Sequence, residues 1–333
     1  MTIELQELQR IAGLTPPVLD ENGQALELKV CCRNCGTKLD MGEMEPLSVT
    51  VCPVCKEALT VPQYFAGCMI TAFCNGALDN YVCKAYDPVL DRDVALKISK
   101  AAAETLGGVR LLDNARTLGL VDQPGVMPVL DGGVWNGYAY WTMPWMERGT
   151  LADVLKLPFD DRFTLRQTMH LLVRLSKALE TAEQRGFGHY DINPRNILVN
   201  YEWMGHLTNF RHVDEYIDYT GDPEGLRRFD GWRYFSPDLL TGATPGIDDD
   251  VFSFGVTIYE LLSGVYPFGM VETPGELLEI QRHPLSGGAI RRHSATDNAI
   301  VELVERMISL VPGARPRYRE IVTAFENRLE AVL

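Results

Sequence analysis

The chain has 333 residues and a formal net charge of -14, with 46% hydrophobic and 23% charged residues. That length admits one large two-part domain with a small appendage, and the composition excludes an intrinsically disordered chain. The acid excess works against nonspecific binding to nucleic acid or anionic lipid, because the long-range field repels both.

Residues 1–27 read as an acidic leader in which Leu5, Leu8 and Ala12 recur at helical spacing until Pro16-Pro17 ends the pattern. An amphipathic turn docked on its own protein is the expectation here. Glu4, Glu7 and Arg10 are unlike a secretory signal, and the apolar runs of the chain are too short to span a bilayer. Cytoplasmic residence is therefore expected.

All eight cysteines fall between Cys31 and Cys83, a clustering that suggests a local metal site in a reducing compartment, not a spread disulfide framework. Within residues 28–62, Cys32 and Cys35 form one CxxC pair and Cys52 and Cys55 a second, with 16 residues between them. Thiolates from two tight turns close a tetrahedral site that zinc accepts without redox cost, and metal binding would supply much of the folding free energy of so small a segment. Cys31 reads as a bystander that could compete as a ligand. The segment resembles a zinc ribbon. Its bases Lys29, Arg33, Lys38 and Lys56 are matched by Asp40, Glu43, Glu45 and Glu57, and it holds no aromatic residue. A structural or protein-contact role is expected over nucleic-acid binding.

From residue 63 the pattern changes. Tyr81-Val82-Cys83-Lys84-Ala85 and Val94-Ala95-Leu96-Lys97-Ile98 predict strands around a turn at Asp91-Arg92. Leu111, Ala115 and Leu118 share one face of a helix between Glu104 and Leu118. Beyond Thr150 the pattern is mainly helical. It contains His189-Tyr190-Asp191-Ile192-Asn193-Pro194-Arg195-Asn196, then Asn209-Phe210-Arg211, then Gly231 through Ser236-Pro237-Asp238. Asp250-Val251-Phe252-Ser253-Phe254-Gly255-Val256, Tyr259 through Gly264, and Ala314-Arg315-Pro316 follow.

With Val94-Ala95-Leu96-Lys97, these runs resemble the signature segments of bacterial serine/threonine protein kinases across nearly all of 63–333. The resemblance implies an α+β, bilobal kinase-like fold, with an N-lobe at 63–144 and a C-lobe at 145–333 behind the leader and the ribbon. It also implies roles. Lys97 would meet the ATP phosphates, Asp191 holds the base position, and Asn196 is a metal-ligand position. Asp250 would brace the loop backbone, His189 would pack in the core, and Arg315 would pair with Asp238. Val82, Ala95 and Leu198 would sandwich adenine, with Met143 as gatekeeper and Trp145-Met146 in the hinge. Pro144 removes one hinge N–H, and the donor of Met146 remains.

The departures from the family fall on phosphate and metal handling. Asn209 stands where the family carries its metal-binding Asp, and Arg211 replaces the Gly of that motif. Asn114 aligns with the helix Glu that orients the Lys, Asp113 lying about 100° away around the helix. Asn75, Ala77 and Asn80 fall on the three glycines of the phosphate loop, with Gly76 in a shifted register. Tyr190 replaces an Arg that reads activation-loop phosphate, and Asn193 replaces a Lys. Arg195 stands where tyrosine kinases place a compensating Arg.

The resemblance thus predicts a pseudokinase, a scaffold or allosteric regulator with protein partners, binding ATP or ADP weakly and with little dependence on magnesium. The alternative is slow phosphoryl or nucleotidyl transfer by Lys97, Asp191, Arg195 and Asn196. A third reading makes the ribbon the working part. Tyr216, Tyr219 and Thr220 lie in the segment that the resemblance makes the activation segment, where hydroxyls are common.

Overall fold

A computed structural model describes residues 29–332 apart from 33, 42–43, 45–47, 62, 77–78, 218–224, 230 and 284–297. The helical pattern of the leader, Ala77 of the phosphate loop, and Tyr219 and Thr220 lie outside the described residues.

The described chain forms two compact units, one made of residues up to Ala115 with Val129–Trp145, the other of Arg116–Pro128 with residues from Met146 onward. The first unit begins with two small hairpins. Strand β1 (Lys29–Cys31) pairs antiparallel with β2 (Lys38–Asp40), and β3 (Val49–Val51) pairs with β4 (Ala58–Thr60). Each hairpin carries one CxxC pair at its turn. Both turns close alike, with Gly36 N–H donating to the Cys32 carbonyl at 2.8 Å and Lys56 N–H donating to the Cys52 carbonyl at 2.9 Å. Gly36 (φ 73°) and Lys56 (φ 64°) take the left-handed conformation that such a tight return requires.

The remainder of this unit is an antiparallel sheet of β5 (Gln63–Phe65), β6 (Cys68–Gly76), β7 (Asn80–Asp87), β8 (Arg92–Ala102), β9 (Asp131–Trp135) and β10 (Tyr138–Pro144). The strands lie in the order β5-β6-β7-β8-β10-β9. Both strands expected around the Asp91-Arg92 turn are present and longer than their apolar cores suggested. Asp87 closes that turn, its Oδ1 accepting from Val89 N–H at 3.0 Å and Leu90 N–H at 3.2 Å. Alternate residues Tyr81, Cys83 and Ala85 are buried against Leu96, Ile98 and Phe65, as period-two side chains require. Phe65 on one edge strand meets Trp135 on the other (ring centroids 6.4 Å) and Tyr140 (5.7 Å), so the sheet curls until its edges touch.

Helix α1 (Leu106–Val121) begins two residues after the expected helix and ends three residues after it, and it buries Leu111, Ala115 and Leu118 as predicted. It contains both Asp113 and Asn114, each half-buried.

The second unit is mainly helical. It contains α2 (Leu151–Val154), α3 (Leu165–Gln184), the short hairpin β11 (Ile197–Val199) with β12 (Gly205–Leu207), and α4 (Asp214–Ile217). Then come α5 (Pro237–Leu240), α6 (Ile247–Ser263), α7 (Pro274–Gln281), α8 (Asn298–Met307) and α9 (Tyr318–Ala331). Thr164 starts α3 through a capping box with Gln167. Helix α6 is buried along nearly its whole length and ends where Gly264 turns left-handed at φ 73°. No described helix is long and apolar enough to cross a membrane.

Arg315 ties two segments of this unit. Its side chain is fully buried and donates to the Asp248 carbonyl at 2.9 Å, the Ser309 carbonyl at 3.0 Å and Asp238 Oδ2 at 3.3 Å. The expected Arg315–Asp238 pair is therefore present, and Asp249 adds a second carboxylate at 3.7 Å.

Candidate functional site

The loop at His189–Asn196 is fixed from beneath by Asp250, in the first turn of α6. One carboxylate oxygen accepts from His189 N–H at 2.6 Å and the other from Tyr190 N–H at 2.7 Å. The predicted bracing role is thus visible in the geometry. Burial raises the Asp250 carboxyl to about 8, against the pull of those two N–H donors. His189 packs at 4.5 Å from the Phe210 ring and has no exposed surface. Burial depresses its imidazole to about 3, which keeps it neutral and leaves Nδ1 to accept the Asp191 N–H at 3.3 Å. Its expected place in the core holds.

Above this base, four of the singled-out side chains form one chain of contacts with Asn193. Asn196 donates Nδ2 to the Asp191 backbone carbonyl at 2.8 Å. A carbonyl only accepts, so this bond fixes the amide orientation and leaves Asn196 Oδ1 as an acceptor. Asn209 fills that acceptor with its own Nδ2 at 2.7 Å. Asn209 sits at φ 64°, a left-handed conformation that Asn tolerates better than most residues. The two expected metal-ligand positions therefore meet each other as a neutral amide pair. Magnesium takes hard, usually ionised oxygen ligands, and this pair offers it no carboxylate; the residues present do not fit the ion.

Asp191 is 2% exposed, and both of its carboxylate oxygens have partners. Asn193 Nδ2 donates to Oδ1 at 2.9 Å, and Arg211 Nε donates to Oδ2 at 2.8 Å. Burial pushes the carboxyl up, and the Arg211 charge with its hydrogen bond draws it back toward ionisation. The guanidinium itself stacks 4.9 Å from the centre of the Phe229 ring. Arg195 lies in the short 3-10 turn Pro194–Asn196 with its backbone N–H on Asn193 Oδ1 at 2.9 Å, and its side chain is exposed.

The predicted nucleotide-contact residues of the first unit fall on two adjacent rungs of the sheet. Val82 pairs with Lys97, which pairs with Trp141; Lys84 pairs with Ala95, which pairs with Met143. Residues directly opposite in an antiparallel ladder share a face, so Val82, Ala95, Lys97 and Met143 are brought to one surface. Lys97 is buried to 7% exposure with its Nζ 5.3 Å over the Trp141 ring. Lys84 reaches Asp93 at 2.8 Å and lies 4.6 Å over the Trp145 ring. In the second unit, Met146 is buried and Leu198 half-buried, the latter in a bridge with Thr150. The loop drawn onto Asn75, Ala77 and Asn80 is the end of the β6–β7 hairpin, where Asn75 faces Val82 and Gly76 faces Tyr81 in the ladder.

The cysteine centre lies in the first unit. The Sγ atoms of Cys32, Cys35, Cys52 and Cys55 all lie within 4.8 Å of one another, with Cys32 to Cys55 at 3.5 Å and Cys35 to Cys52 at 3.6 Å. This donor set can hold a metal ion, and the two matching turns present all four thiols to one point. The Thr37 hydroxyl and backbone N–H draw the Cys35 thiol down to about 6, whereas Cys55, against the Glu57 N–H, is pushed up to about 11 by burial and its neighbouring thiols.

Some partners in this arrangement were not singled out by sequence reasoning. Trp141 under Lys97, Phe229 under Arg211, and the close approach of Gly231 to Asp191 depend on which strands and loops pair. Trp141 alone carried a local signal, since a residue two before Met143 shares its strand face.

The model of the protein tyrosine and serine/threonine kinase family matches residues 69–325. A probable serine/threonine-protein kinase of Clostridium perfringens is 31% identical over 199 residues, covering 57% of this chain and 27% of that protein. Serine/threonine-protein kinase PknD of Chlamydia abortus is 25% identical over 259 residues, covering 69% of this chain and 27% of its own length. PknA of Mycobacterium tuberculosis is 31% identical over 198 residues, covering 56% of this chain and 44% of that protein. The chain thus spans about a quarter of the first two relatives and under half of the third. With a family match running from β6 into α9, the chain belongs to the protein tyrosine and serine/threonine kinase family.

Proposed function

We propose that this protein is a pseudokinase of the serine/threonine branch, acting as a scaffold or allosteric regulator through protein partners in the cytoplasm. One observation carries the reading: Asp191 is held by Arg211 and Asn193, while Asn209 Nδ2 donates to Asn196 Oδ1 and Asn196 Nδ2 to the Asp191 carbonyl. Phosphoryl transfer needs a free base and neutralised phosphate charge. In this site the groups at those positions satisfy one another instead. The face carrying Val82, Ala95, Lys97 and Met143 supports weak binding of ATP or ADP with little dependence on magnesium. The four-thiol cluster is assigned to structural zinc, and residues 28–62 to a ribbon attached to a kinase-like domain at 63–333.

Thermal-shift titration with ATP, with and without magnesium, tests this reading. The expected result is a small shift, equal in both conditions. A large shift seen only with magnesium overturns it.

One observation favours a second reading: Arg195 is exposed beside Asp191 and Asn196, and Lys97 lies on the same face as the apolar slot residues. Slow phosphoryl or nucleotidyl transfer would then show as labelling from ATP that Asp191→Ala abolishes. Equal background in wild type and variant removes that alternative.

A further inference from the structure

We propose that Asp191 is the anchor of the segment that follows Asn209, fastening both flanks of that segment onto the loop. The near flank, residues 211–217, is tied by Arg211 Nε to Asp191 Oδ2 at 2.8 Å and by Arg211 N–H to the His189 carbonyl at 3.0 Å. The far flank returns to the same carboxylate. A Cβ added at Gly231 would overlap Asp191 Oδ1 and lie 2.6 Å from Asn193 Nδ2, so only glycine lets the chain come this close.

The flanks also grip each other. Phe229 stacks on Tyr216 with ring centroids 4.7 Å apart and planes 5° from parallel, and Phe235 packs against both at 5.8 and 6.0 Å. Arg211 lies over the other partner of that stack, Phe229, at 4.9 Å. The Tyr216 hydroxyl donates to the Tyr190 carbonyl, returning the near flank to the loop a second time. Asp191 thus sits under a clasp made of one cation, one close-packed glycine and three aromatic rings. A carboxylate bonded on both oxygens and covered by backbone is placed to hold a surface in one shape. This proposal rests on the reading of the loop as non-catalytic only in giving the carboxylate a holding task.

Hydrogen–deuterium exchange on the full chain without nucleotide tests it. The amides to follow are those of Arg211, Tyr216, Phe229, Trp232, Tyr234 and Phe235, each donating within the loop or the segment. Asp191→Asn keeps the shape of the side chain and removes the charge that holds Arg211. Exchange at these amides is expected to rise about tenfold or more, with α3 and α9 unchanged. Gly231→Ala disturbs the clasp from the opposite side and is expected to expose the same amides. Protection equal to wild type in both variants overturns the proposal. A wild type found to transfer phosphate would defeat the pseudokinase reading and leave this measurement, made without nucleotide, standing on its own.

Discussion

Arg211 Nε donates to Asp191 Oδ2 at 2.8 Å, and Asp191 has only 2% of its side-chain surface exposed. A cation thus covers a buried carboxylate of the loop. The same residue, Arg211, occupies the position where the family motif has a glycine with no side chain. Arg211 at that position brings in the cation that pairs with Asp191.

Asn209→Asp is expected to destabilise the loop and to give a larger response to magnesium than wild type. The change replaces an amide donor by a carboxylate facing Asn196 Oδ1, so a 2.7 Å hydrogen bond becomes a repulsive oxygen pair. The cost is about 1–3 kcal/mol without cation. Melting curves with and without magnesium, but no nucleotide, measure both effects. A variant as stable as wild type and indifferent to magnesium counts against the amide pairing.

Arg315→Met is expected to cost about 3–5 kcal/mol, because it strips a buried cation from between Asp238 and Asp249 and leaves two carbonyl acceptors short of a donor. Arg315→Lys should recover only part of this, since an ammonium cannot reach the spread of acceptors that the guanidinium fork spans. Urea unfolding midpoints decide the order wild type, Lys, Met.

Removing metal from the cysteine centre is expected to release one zinc per chain and lower the melting temperature. Cys52 is fully buried and joins the tight turn closed by Lys56 N–H, so Cys52→Ser should lose zinc affinity more severely than the about 10–100-fold that follows changes behind the ligands. Elemental analysis and chelator competition read the affinity. Unchanged zinc content in Cys52→Ser would sink the four-thiol assignment.

Acid sensitivity should run in part through His206. Its Nε2 lies 2.9 Å from Arg174 Nη2, a group that only donates, so the ring is a neutral acceptor. Burial, with the Arg174 charge, holds it down at about 4, below the roughly 6.5 of an unfolded chain. Between those values the unfolded state binds the extra proton. The contribution is complete above about pH 6.5 and is lost as pH falls toward 4, at about 1.4 kcal/mol per pH unit. His206→Asn should flatten the acid limb of a stability profile by that slope; parallel limbs would refute it.

Much of the fold was legible because its signals are local. Val94 to Ile98 alternates as a strand, Leu111, Ala115 and Leu118 recur as a helix face, and two CxxC pairs mark two turns. Each of these patterns is set by the geometry of neighbouring residues, so periodicity and spacing suffice to read it. The His189–Asn196 run and Asn209-Phe210-Arg211 likewise pointed to the kinase family to which the chain belongs.

What the altered positions do instead was decided by contacts between residues far apart in the chain. The sequence marks Arg211 and Asn209 as departures from the family motif but does not say that Arg211 reaches back twenty positions to Asp191, nor that Asn209 donates to Asn196. Nor does it tell that Gly231 must lack a side chain because the Asp191 carboxylate lies against it. A charged or amide side chain has many partners within reach, and only close packing of the whole unit selects one. The residue types determined the family to which the chain belongs; the tertiary structure determined which partner each polar side chain of the loop takes.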